Sequence, residues 1–165
     1  MSEVERRLSE QGLALPEASA PAGVYVPYVL VGDLLHLSGQ IPMGLDPMPK
    51  GALSADDHVD ADPPHERTRV GEAQRAARQC ALNLIAQAKA ATGDLDRVVR
   101  VVKLVGFVAS APDFGQQPIV VNAASRLMAE AFGEAGVHAR SAVGVAALPF
   151  GVMVEIEAIL QVRGS

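Results

Sequence analysis

The longest periodic apolar pattern in the chain lies in residues 69–91, where Ala73, Ala76, Ala77, Cys80, Ala81, Leu84, Ile85 and Ala88 recur at spacings of three and four. That period predicts a helix with a narrow, small-residue stripe that can pack closely on a sheet. A second helix is predicted from Pro118, suited to a first turn, through Val120, Ala124, Leu127, Met128 and Ala131, with Gly133 after its end. Residues 2–5, Ser-Glu-Val-Glu, form a capping-box pattern that predicts a short peripheral helix over about 3–11, with Gly12 as its C′ residue. Between these lie patterns of period two or short β-branched runs. Residues 24–31 read as a strand, with Pro27 marking an edge or a break. A Gly32-Asp33 turn leads to residues 34–37, and residues 97–110 read as a long, central, Val-rich strand. In residues 152–162, Val152, Val154, Ile156, Ala158, Leu160 and Val162 alternate with Met153, Glu155, Glu157, Ile159 and Gln161. That strand is expected to follow the one opened by Arg140, joined to it by a turn at residues 148–151.

The predicted order is β-β-α-β-α-β-β: an α+β protein with one mixed sheet and two helices packed on one face. At 165 residues it is read as a single domain, 1–165, with an N-terminal extension over about 1–22 and a long loop insertion over about 43–67. The second face of the sheet is too apolar for free solvation, so a partner subunit is its expected cover. The loop holds His58 and His65 among Asp56, Asp57, Asp60 and Asp62 without regular ligand spacing, so a solvated acidic loop is expected and no metal site.

Charge and composition narrow the function. The net charge is −5 and aromatics are 4% with no Trp, which works against a polyanion partner and against base-stacking platforms. Nucleic acid is therefore not an expected partner. The one cysteine, Cys80, excludes an intrachain disulfide and falls in the helical stripe, as a buried core thiol would. The mixed, charged N-terminus and the lack of a long apolar run point to a cytoplasmic protein with no membrane span. Two charged residues stand out in apolar strands, Arg140 and Glu155. They can pair with each other to hold the sheet, or bind a small polar ligand. Gly39, between Ser38 and Gln40 at a strand end, permits either a bulge or close approach of a ligand. Lys103 is the odd member of the Val-rich strand, read as surface-pointing or paired.

Several fragments resemble the YjgF/RidA family: Ser38-Gly39-Gln40-Ile41-Pro42, Asn122 at the start of the second helix, Ala139-Arg140-Ser141, Leu148-Pro149 and residues 154–159, Val-Glu-Ile-Glu-Ala-Ile. The resemblance covers roughly residues 24–162. The longer N-terminus and the Tyr25-Val26-Pro27 and His138-Ala139-Arg140 segments are more similar to a divergent, chorismate-mutase-like putative endoribonuclease branch. The resemblance implies a chorismate-mutase-like fold, a homotrimer and clefts between subunits. It also implies hydrolysis of reactive 2-imino and 2-enamino acids to 2-keto acids and ammonia, with no cofactor. Carried over by position, Arg140 and Glu155 are the catalytic pair. Tyr25, Gly39, Asn122 and Arg140 contact the carboxylate-bearing substrate, and Lys103 matches a family position. The alternatives are a trimer of the same fold that binds small carboxylates without turnover, and the endoribonuclease of the family label. The chain departs from the pattern at Ala142, Gly144 and Phe150-Gly151 while keeping Arg140 and Glu155.

Overall fold

A computed structural model describes residues 1–164 as a five-stranded mixed sheet with its long helices on one face. The elements are α1 (Glu3–Glu10), β1 (Tyr28–Val31), β2 (Leu34–Gln40), α2 (Arg69–Thr92), β3 (Val98–Ala109), α3 (Gln117–Phe132), β4 (Ala139–Val145) and β5 (Val154–Val162). Helix α1 carries the capping box read from the sequence: Ser2 accepts from the Glu5 amide, and the Glu5 carboxylate accepts from the Ser2 amide. The first apolar run enters the sheet only at Tyr28, because Pro27 has no amide hydrogen and uses only its carbonyl, which accepts from Ser38.

In space the strands run β1-β2-β5-β3-β4. Neighbouring pairs are antiparallel except β3 and β4, which are parallel, and α3 makes the crossover that parallel strands require. This corrects the expectation that Arg140 and Glu155 sit on adjoining strands, since β3 lies between β4 and β5. The reason is a long-range tie between backbones. In the turn at Pro149–Gly151 the backbone bonds to the long loop, with Gly51 N donating to Gly151 O and Met153 N to Pro49 O. The segment is thereby carried across the end of β3 instead of folding back on β4, and Ala109 N donates to Met153 O as it passes.

The core lies between the sheet and the helix pair. Val101, Leu104 and Val108 of β3 and Val154, Ile156 and Leu160 of β5 are fully buried against the stripe of α2 and against Val120, Ala124 and Leu127 of α3. Each such aliphatic side chain contributes about 1.5–3 kcal/mol by leaving water. The Ala-rich stripe of α2 lets helix and sheet approach closely, and Cys80 is wholly buried there with its thiol near Val154 O. The 43–67 loop is not simply solvated. Leu53 is fully buried, its amide donates to Ala109 O at 2.9 Å, and its carbonyl accepts from Ala111 at 2.7 Å. The loop is thus an added edge on the end of β3.

Candidate functional site

The residues singled out in the sequence fall into two groups within one chain. Tyr25, Gly39 and Glu155 line a pocket of about 410 Å³, where the extended stretch before β1 crosses the end of β2 and the start of β5. The register of β2 against β5 slips between Leu37 and Gln40, so a β-bulge forms at Ser38-Gly39. Gly39 is then packed on the Glu155 side chain: a Cβ built there lies 3.1 Å from its Cγ and 2.9 Å from its Cδ. The bulge reading of that glycine holds, and the bulge brings the backbone against the carboxylate. Burial raises the Glu155 pKa from the ordinary glutamate value, and the neighbouring Glu157 adds to the effect.

Arg140 and Asn122 form the second group, on the helix side of the edge strand β4. Arg140 pairs in register with Leu104, and Glu155 with Phe107, three residues further along β3, so the two side chains leave opposite faces of the sheet. The guanidinium donates from Nη1 to Asn122 Oδ1 at 2.7 Å and to Ser125 Oγ at 3.1 Å, and from Nη2 to Pro118 O at 3.4 Å. All three acceptors are neutral, and among the described residues Arg140 makes no ion pair. Its direction is therefore fixed while its charge stays available.

A chain of hydrogen bonds sets that direction. His138 Nδ1 lies 2.6 Å from Gly136 O, and a carbonyl can only accept, so Nδ1 carries the proton. Nε2 of the neutral ring then accepts from the Ser125 hydroxyl at 3.0 Å. Burial lowers the His138 pKa, outweighing the bond to Gly136, and Arg140 acts in the same direction as burial. On the other side, Asn122 Nδ2 donates to Asp62 at 2.5 Å, which turns the amide oxygen toward Arg140. Asp62 also accepts from Arg126 at 2.9 Å and from Gln74 at 3.0 Å. The Arg126 bond, helped by Asn122 and Gln74, outweighs burial and brings the Asp62 pKa down to about 2.

An acidic residue whose folded pKa lies below its unfolded one stabilises the fold above the unfolded value, here near 3.8, and ceases to do so as pH falls toward about 2. Asp62→Asn is accordingly expected to lower the melting temperature at neutral pH, with the gap to wild type closing between about pH 4 and 2. Parallel melts across that range check it, and a gap independent of pH would show that the carboxylate charge is not what the network uses.

Sequence reasoning missed Ser125 as a partner of Arg140, and His138 and Asp62 as the residues that hold Ser125 and Asn122 behind it. Ser125 was within reach, since it stands three residues after Asn122 and so shares its helix face. Nothing separated Asp62 from the other loop acids. Lys103 joins neither group: it lies on the open face of the sheet beside Val105, Glu157 and Ile159. Among the described residues no cluster of His, Cys, Asp or Glu could hold a metal, and no helix is long and apolar enough to cross a membrane.

The family described as "YjgF/chorismate mutase-like, putative endoribonuclease" matches residues 5–159. The chain belongs to this YjgF/RidA-like family. Protein TCP17 of Trypanosoma cruzi is 47% identical over 97% of this chain and 94% of its own length. Among solved structures, Atu1372 of Agrobacterium tumefaciens, a protein of unknown function, is 45% identical with a TM-score of 0.80, over 98% of this chain and 93% of that one. A "putative endoribonuclease" of Shewanella oneidensis MR-1 is 32% identical with a TM-score of 0.83, over 96% and 99%. The two solved YjgF relatives match this fold over nearly the whole chain.

Proposed function

We propose that this YjgF-family chain hydrolyses 2-imino and 2-enamino acids to 2-keto acids and ammonia, in clefts shared between the subunits of a homotrimer. The observation that carries the reading is the state of Arg140, a guanidinium oriented by three neutral acceptors, with no direct ion pair and with the Asp62 carboxylate reaching it only through Asn122. Such a fork suits a planar carboxylate, which it binds bidentately. Glu155 supplies the second function. A carboxyl whose pKa is raised by burial is a stronger base than an exposed one, suited to take a proton from water and return it to nitrogen. Water adds to C2 of the imine to give a carbinolamine; the carboxyl then takes the hydroxyl proton and a proton reaches the nitrogen, so that the C–N bond breaks as C=O forms and 2-keto acid and ammonia leave. No external reductant or oxidant enters the balance.

The two groups leave opposite faces of one sheet, so a second subunit is the natural means of joining them. The open face offers a surface for it, with Val99 and Val143 exposed and Phe107 and Ile159 half-buried. The endoribonuclease wording of the family gains nothing from this chain, whose net charge is −5 and whose pocket beside Glu155 has a carboxylate as its charged group. Ammonia and keto-acid release from freshly generated 2-imino acids, measured against the uncatalysed rate, tests the reading. An accelerated release of both products in equal amounts is expected, and an unchanged rate over small and bulky imines would overturn it.

A further inference from the structure

We propose that the pocket beside Glu155 is a side-chain subsite for a bulky apolar group, so that the favoured substrate is a 2-imino acid with an aromatic or branched aliphatic side chain. This rests on the deaminase reading above and goes beyond it by naming which imines are taken. The pocket holds about 410 Å³, within the range of sites that enclose whole organic ligands and far more than the smallest 2-imino acid needs. Much of its wall is apolar, with Pro21 from the extended stretch, Ile41 and Met43 after β2, and Phe150 from the turn before β5.

The two glutamine amide nitrogens in the wall are already committed. Gln87 Nε2 donates to Ser19 O at 2.7 Å, and Gln40 Nε2 to the carbonyls of Ser38 and Gly39 at 3.2 and 3.3 Å. Glu155 is the charged group that remains, and no cation lines the pocket among the described residues. A substrate carboxylate has no partner there and would be repelled, which assigns it to an arginine outside the pocket. What enters beside Glu155 is the nitrogen end and the side chain. An acidic side chain would meet the same repulsion.

Phe150 is the piece that sequence and fold give no structural reason to place. It is 65% exposed, and it is the one non-glycine residue with positive φ among those described, at +57°. A strained, exposed aromatic at the mouth of an apolar pocket contributes nothing to the core and gains its burial when a ligand side chain fills the space.

The test compares kcat/KM for imines generated from phenylalanine, leucine and alanine by an amino-acid oxidase, in wild type, Phe150→Ala and Phe150→Gly. The glycine variant removes the ring while easing the backbone, so a folding defect in one variant does not decide the result. Wild type is expected to favour the phenylalanine and leucine imines over the alanine imine by at least about tenfold, as a filled apolar pocket can. Both variants are expected to bring that ratio to within about threefold. A ratio near one in wild type, or one unmoved by either substitution, overturns the proposal. If no imine is turned over, the deaminase reading fails and the subsite is judged by calorimetry with phenylpyruvate and pyruvate. Binding of phenylpyruvate at least about tenfold tighter, lost in both variants, supports the subsite, and equal or absent binding overturns it.

Discussion

Replacing Arg140 by alanine is expected to lower kcat/KM for a 2-imino acid by about 10²–10³-fold, with little change in melting temperature. The loss follows from removing a bidentate, charge-assisted anchor for the substrate carboxylate, not from weakening the fold. Asn122 and Ser125, the side chains that hold the guanidinium, are half-buried, so water can replace the lost donors. Asn122 also keeps its bond to Asp62. Arg140→Lys is expected to recover little, because an ammonium cannot reproduce the planar fork. The same substitution tests the shared cleft. Arg140→Ala and Glu155→Gln chains are each expected to be nearly inactive alone. Mixed by co-refolding in equal amounts, they form particles in which about a quarter of the interfaces combine an intact arginine from one chain with an intact glutamate from the other. Activity regained on mixing marks a site built from two chains. If the mixture stays inactive while forming the same particles, Arg140 and Glu155 act within one chain or not together at all.

The elements of the fold were readable where local chemistry is strong, and their neighbours were not. The Ser2–Glu5 capping box, the Ala-rich stripe of α2 and the Gly133 stop after α3 stand in the structure where their spacing puts them. The period of two in residues 152–162 correctly separated Glu155 from the buried face. Alternation tells which way a side chain points, however, and says nothing about which strand lies beside it. That is why β4 and β5 read as a pair although β3 runs between them. Their separation depends on backbone bonds from the turn at Pro149–Gly151 to residues about a hundred positions earlier, which no local pattern encodes. The candidate site shows the same division. Arg140 and Glu155 stand out as charged residues in apolar strands, whereas Gly39 allows two readings and Asn122 enters only through the family resemblance. Asp62 differs from its acidic neighbours because α3 faces it with Asn122 and Arg126 and α2 with Gln74.

Gly39→Ala is expected to reduce kcat by about 10²-fold while KM moves little, the reverse of the pattern at a carboxylate anchor. Gly39 does not have a positive φ, so its backbone accepts an alanine without strain. The obstacle is the Glu155 side chain, whose Cγ and Cδ would stand 3.1 and 2.9 Å from the new methyl, with Oε1 nearer still. Because the carboxylate is the far end of a side chain, it is the part that yields, swinging away from the bulge and out of its place in the pocket. A displacement of about 1 Å at a group that must hand a proton to a reacting atom is enough for a loss of that size. Substrate held through Arg140 would still bind, which is why KM is spared. If the methyl acts through the carboxylate, its effect disappears once the carboxylate is gone. In the Gly39→Ala, Glu155→Gln double variant kcat is therefore expected close to that of Glu155→Gln alone, the two losses failing to add. Steady-state kinetics on the four proteins of this cycle, with melts to confirm folding, check it. A kcat for Gly39→Ala within twofold of wild type would mean that the carboxylate's position at the bulge is not what the reaction requires.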